Sequence, residues 1–144
     1  MTVCSMSNAV KRRIDEQVGA CVGGEITRTQ VWVIGFIADN RDKDIFQRDI
    51  ELKFGIRRST ATGILQLMEK NGLLTREAVD HDARLKKLTL TPKAAGIHEL
   101  VHTTIQRNES EMLACLTPEE QDEFFALSGK LLAAIGDEAE NIPL

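Results

Sequence analysis

"FGIRRSTATGILQLMEKNGLL", residues 54–74, sets two guanidiniums and three small hydroxyl side chains ahead of an apolar stripe. Ala61, Ile64, Leu65 and Met68 recur at spacings of three and four, which predicts one buried face of a helix over about 58–71. Arg58, Ser59, Thr62 and Gln66 fall on the opposite side, with Arg57 in the preceding turn, and Asn71-Gly72 closes the segment. Free N–H groups at a helix N-terminus attract phosphate. Small hydroxyls allow close approach of the backbone, and Arg or Gln pairs bidentately with base edges. Gly63 adds closeness at some cost in helix stability. An ordinary capped surface helix has the same amphipathic pattern, so the neighbouring segments must decide.

Upstream, "IFQRDIELKFG" predicts a short helix carrying Ile50, Leu52 and Phe54 and closed by Gly55. Two helices across a tight glycine turn make a helix-turn-helix. Downstream the period changes. "LLTREAV" and "LKKLTLT" alternate as strands around the polar "DHDAR", which predicts a β-hairpin. Asp82, Arg84, Lys86 and Lys87 stand at and behind its tip. A tip arginine suits a narrow minor groove, where the negative potential is strongest.

The flanks read as helices. Val10, Ile14, Val18 and Cys21 mark a first helix over 6–22. Thr27 and Gln30 have capping-box spacing at the start of a second, largely buried helix that ends near Asn40. Thr91-Pro92 and Thr117-Pro118 begin two more, over about 92–115 and 118–136. Ile97, Val101, Ile105, Met112 and Leu116 stripe the first of these, and Phe124, Leu127, Leu131 and Ile135 the second. The small central module is too short to cover both stripes, which predicts a second copy of the chain as their cover. An intramolecular bundle is the alternative.

The 144 residues amount to about one domain. The net charge of −4 conceals a division: residues 41–93 hold twelve basic and eight acidic side chains, residues 94–144 two and ten. Phosphate attraction depends on such local patches, because salt screens charges beyond roughly 8–10 Å. No apolar run approaches the roughly 20 residues of a membrane span, and the N-terminus lacks the apolar core of a secretory signal. Cys4, Cys21 and Cys115 are odd in number and far apart, which predicts reduced thiols and a cytoplasmic location. Cys21 and Cys115 read as packing residues, Cys4 as an exposed tail thiol.

The segment from "GEITRTQ" to "LTLTPKA" resembles the MarR family of winged helix-turn-helix transcription regulators. The resemblance rests on Ile26-Thr27-Arg28-Thr29-Gln30, on the stretch quoted first, and on Asp82-Ala83-Arg84 followed by Leu90-Thr91. It implies a mainly α fold with a small β-hairpin wing, built as a single MarR-like domain over 1–144. The winged helix-turn-helix core would occupy about 27–91, and dimerisation helices about 5–22 and 92–136. Arg58, Ser59, Thr60, Thr62 and Gln66 match major-groove and phosphate contact positions. Arg84 matches the wing arginine and Asp82 the acid that holds it. Gly63 and Arg57 depart from the pattern, the first standing where a basic or polar residue is common, the second where Ser or Asp often caps the helix. Ile14, Leu116, Phe124, Leu127, Leu131 and Ile135 would contribute to the dimer interface.

The resemblance also implies a small-molecule effector, for which Trp32, Phe36, His98, Val101 and His102 are candidate pocket residues. His98 and His102 are four apart, a spacing that suits a metal, but no further ligand accompanies them, so no metal or cofactor is expected. Ser59 has no neighbouring His base and no phosphate-binding glycine loop appears, so no enzymatic activity is expected. The expected function is a sequence-specific double-stranded DNA-binding regulator, a ligand-responsive repressor acting as a homodimer on a roughly palindromic operator. The alternative is a winged-helix protein-interaction module without operator binding.

Overall fold

The computed structural model describes residues 2–24, 26–79 and 82–136, with the backbone alone for 82–84. Helices α1 (Val3–Val22), α2 (Arg28–Asp39), α3 (Gln47–Phe54) and α4 (Arg58–Lys70) precede strands β1 (Leu74–Val79) and β2 (Asp82–Leu90). Helices α5 (Pro92–Leu113) and α6 (Pro118–Ala134) follow. The architecture is mainly helical, with one antiparallel hairpin.

Threonine caps set four of the helix starts. Gln30 N–H donates to Thr27 Oγ1 at 3.3 Å, and Thr27 N–H donates to Gln30 Oε1 at 2.9 Å, closing the capping box read from the sequence. Thr117 closes the same kind of box with Glu120 at the start of α6, Thr91 caps α5 by accepting from Ala94 N–H alone, and each is followed by proline. Thr2 caps α1 through Ser5 N–H, so that helix starts at Val3 rather than near residue 6. Gly55 and Gly72 end α3 and α4 at φ 60° and 68°, a left-handed conformation that glycine adopts without a Cβ clash.

The core gathers Val33, Ile34 and Ile37 of α2, Ile50 of α3, Leu65 and Met68 of α4, Leu74 and Leu88 of the hairpin, and Ala94 of α5. Leu65 and Met68 are completely buried, so truncating Leu65 to alanine costs roughly 2–5 kcal/mol in transfer and cavity terms. Leu52, one of the three apolar residues named on this helix, is 71 % exposed, because only one side of the two-turn helix α3 reaches the core. The hairpin pairs Leu74 with Leu90 and Arg76 with Leu88, with a register shift at Ala78/Val79. Strand β2 begins at Asp82, which pairs with Val79, so residues 82–84 of the segment expected as the polar connection are already strand. The sheet leans on the α2–α3 connection, where Leu88 N–H donates to Ile45 C=O at 2.8 Å.

Helix α1 packs on α5 through a seam that is partly polar. Asn108, fully buried, donates to Gln17 Oε1 at 2.6 Å and accepts from Arg13 Nε at 3.3 Å. Cys21 Sγ lies 3.3 Å from Thr104 Oγ1 in the same seam. Buried polar groups fully paired in this way fix register without leaving an unsatisfied donor. Helix α6 buries none of its residues.

Candidate nucleic-acid interface

The turn Gly55-Ile56-Arg57 swings α4 away from α3. Its first half then faces solvent while Ala61, Leu65 and Met68 anchor its inner face at 0 % exposure. Arg57, Arg58, Ser59, Thr60 and Gln66 are all exposed, and Thr62 is half-buried. Arg57 occupies the N-cap position and provides no side-chain cap. The leading N–H groups of α4 are therefore not capped by that side chain, unlike those at the threonine-capped helices. An uncapped N-terminus flanked by two guanidiniums attracts anions through both dipole and charge. Among the described residues, neither Arg57 nor Arg58 is held in an ion pair.

Thr62 is less free than the sequence suggests. Its hydroxyl donates to Arg58 C=O at 2.8 Å and accepts from Gln47 Nε2 at 2.9 Å. Gln47 also donates to Glu51 Oε1 at 2.9 Å, so one amide joins α3 to the first turn of α4. The sequence reading missed Gln47. The signal available was a glutamine at the first position of α3, eleven residues ahead of Arg58, and spacing alone does not pair residues across a turn.

On the hairpin, Lys86 is exposed. Lys87 is placed differently: its Nζ lies 2.6 Å from Asp44 Oδ1, which ties the strand to the α2–α3 connection. That hydrogen bond, and then the charge of Asp44, raise the Lys87 pKa above its ordinary value. The side chains of Asp82 and Arg84 lie outside the described residues, so their expected pairing does too; their backbone belongs to β2.

A model of the MarR family matches residues 25–85, the helix-turn-helix and most of the hairpin. The transcription regulator MarR from Oenococcus oeni PSU-1 is 30% identical, over 91% of this chain and 96% of that one, with a TM-score of 0.61. The chain belongs to the MarR family. As a member, it is a DNA-binding transcription regulator with a winged helix-turn-helix fold. The same fold recurs in MepR, a transcription regulator of the Staphylococcus aureus multidrug efflux pump MepA. MepR is 18% identical over 94% of this chain and 99% of its own, with a TM-score of 0.78. A MepR point mutant is known bound to an oligodeoxyribonucleotide (19% identity, 94% and 99% coverage, TM-score 0.69). MepR is also known bound to ethidium bromide (19% identity, 94% and 97% coverage, TM-score 0.69).

Among the described residues of this MarR-family chain, no one cavity is lined by all five expected effector residues. Trp32 and Val101 share a small cavity of about 70 Å³ with Ile14 and Val18, at whose edge Arg28 and Asp15 pair at 2.7 Å. Phe36 instead packs edge-on against Phe54, ring centroids 6.1 Å apart. His98 lies 3.9 Å from Asp39, and its ring centroid is 6.3 Å from that of His102. Helical spacing put these five side chains on adjacent helices but could not distinguish the two ends of α2.

The expected dimer set divides as well. Ile14 is only 7% exposed within its own chain, against α5 and the small cavity, and is corrected from interface to core. Leu116 is half-buried, while Phe124, Leu127, Leu131 and Ile135 stand exposed on or just beyond α6, joined by Phe125 and Leu132. Cys115, expected in packing, is exposed and donates to Met112 C=O, whereas Cys21 is half-buried.

Proposed function

We propose that the chain is a ligand-responsive repressor that binds a roughly palindromic operator as a homodimer. The observation that carries this reading is the first half of α4: an uncapped helix start beside Arg57 and Arg58, exposed opposite a fully buried anchor. In the proposed complex Arg58, Ser59, Thr60, Thr62 and Gln66 enter the major groove, with Arg57 and Lys86 on phosphate and Arg84 in the adjacent minor groove. Two-fold symmetry then sets half-sites about one helical turn apart. The exposed apolar face of α6 supplies the self-association, since six large apolar side chains on or next to one helix make a patch of the kind that marks an interface.

Effector response is supported by the position of the Trp32–Val101 cavity between α1, α2 and α5. At about 70 Å³ it is well below the roughly 300 Å³ of ordinary ligand sites. A ligand there must open these helices, and with them the spacing of the two recognition helices in the dimer. Its effect on DNA affinity is bounded by its differential affinity for the two spacings.

The test is fluorescence anisotropy of the purified chain on DNA from upstream of its own gene, at two salt concentrations. Saturable binding that weakens steeply with salt and outcompetes random duplex supports the reading. Indifference to every duplex at low salt refutes it.

A further inference from the structure

Gly63 lies in the middle of the recognition helix α4 and is exposed. Glycine inside a helix is less favourable than alanine, because it loses more backbone freedom on folding. Gly55 and Gly72 take positive φ, but Gly63 has regular helical backbone. Among the described residues, a Cβ at position 63 would meet nothing within 4 Å beyond its chain neighbours and its own helix backbone. The fold itself therefore gives no reason for a glycine there. Gly19, Gly96 and Gly129 are as open, so openness alone marks no contact. What separates Gly63 is its place on the face turned away from the buried Ala61, Leu65 and Met68. Residues three and four apart are neighbours on a helix surface, and around Gly63 these are Ser59, Thr60, Gln66 and Leu67, all exposed. With about 3.6 residues per turn, Thr60 and Leu67 fall on one flank of the gap and Ser59 and Gln66 on the other. Leu67 is out of keeping with this face: a large apolar side chain, 45% exposed beside polar ones.

We propose, resting on the reading of α4 as the major-groove helix, that Gly63 sets a base preference: the gap it leaves admits the 5-methyl group of a thymine. That methyl is the apolar feature of the base edges in the major groove, and Leu67 with the methyl of Thr60 meets it from one flank. Ser59 and Gln66, on the other flank, keep their polar atoms for the edges of adjoining bases. None of the four neighbours is charged, so a phosphate would find no cation among them. A Cβ at position 63 would occupy the space that the thymine methyl needs.

The experiment uses the full chain and the tightest duplex it selects from a randomised pool. Each thymidine is replaced in turn by deoxyuridine, which removes the methyl and keeps the pairing. Fluorescence anisotropy should show a loss of about threefold to fourfold at one position in each half-site, the worth of one buried methyl. Gly63→Ala should raise the melting temperature by about 3 °C, yet weaken the thymine duplex by about tenfold through overpacking. With uracil at the sensitive position much of that loss should return, because the methyl has moved from the base to the protein. Leu67→Ala should shrink the thymine preference at the same position, which keeps the proposal open to test should the first variant misfold. No effect of uracil at any position would overturn the proposal and leave operator binding intact. So would a Gly63→Ala loss equal on thymine and uracil duplexes, or no loss at all. A fall in the melting temperature of Gly63→Ala would give the glycine a purpose within the fold and overturn it too. A pool from which no duplex is enriched would sink this proposal and the operator-binding reading together.

Discussion

Gln47 Nε2 stands 2.9 Å from Thr62 Oγ1, and that contact joins the supporting helix α3 to the first turn of the recognition helix α4. Thr62 in turn holds Arg58 C=O, so the link reaches the backbone of the first exposed arginine in α4. Gln47→Leu should lower stability by about 0.5–1.5 kcal/mol, the net worth of such hydrogen bonds. It should also weaken operator binding although Gln47 itself touches no base. A double-mutant cycle with Thr62→Val, followed by denaturant melts, should show a coupling of about 0.5 kcal/mol or more; additive losses would mean the contact carries nothing.

Arg58→Ala removes an exposed guanidinium from the start of α4 without touching the core. The melting temperature should hardly move. DNA affinity should fall and, if the contact is to phosphate, the slope of log affinity against log salt should shrink by about one. A loss confined to the cognate operator, with the slope preserved, would instead assign Arg58 to a base edge.

For the wing, Arg84→Ala should weaken binding broadly, and most on operators whose minor groove is narrow beside the half-site. Asp82→Asn should do so to a smaller degree. Anisotropy on a panel of A-tract and mixed flanks checks this, and unchanged affinity across the panel removes the hairpin from the interface.

Leu127 and Leu131 are 51% and 55% exposed on α6. The pair Leu127→Asp/Leu131→Asp should leave the core lobe folded, since neither side chain enters it, yet shift sedimentation to the monomer and reduce operator affinity by more than tenfold, because each half-site then binds alone. A wild-type chain that sediments as a monomer at micromolar concentration would refute the interface.

Asp44 raises the Lys87 pKa, first through their hydrogen bond and then through its charge. The sign follows: a raised folded pKa means the pair's contribution is whole below the ordinary lysine range and fades as pH climbs through the folded value. Asp44→Asn should return Lys87 to the ordinary range, read from its Nζ-adjacent carbon shifts, and flatten the alkaline end of the stability profile.

Much of this architecture is legible because it is local. Thr27, Thr91 and Thr117 announce helix starts within three or four residues, and Gly55 and Gly72 announce stops, so those ends fall where spacing puts them. The two faces of α4 are equally local, since a 3.6-residue period sorts Ala61, Leu65 and Met68 from Arg58 and Gln66. What failed depends on contacts between distant segments. Ile14 was assigned to a partner because nothing in its neighbourhood reveals that α5 covers it. The Lys87–Asp44 pair was not legible because Asp44, forty-three residues earlier, is brought to Lys87 only by the sheet. Trp32 and Phe36 share a helix, but Trp32 lines the small cavity while Phe36 packs on Phe54, a distinction set by neighbours they meet only after folding.

A helix with no interior of its own has a particular consequence. α6 gains little from the subunit that bears it, so its order is on loan from whatever lies against it. With a second subunit as that cover, scarcity becomes a signal in its own right: diluted copies would fray at this end first and meet proteases there. Repression would then fade faster than protein concentration falls, giving the circuit a threshold that no effector has to set.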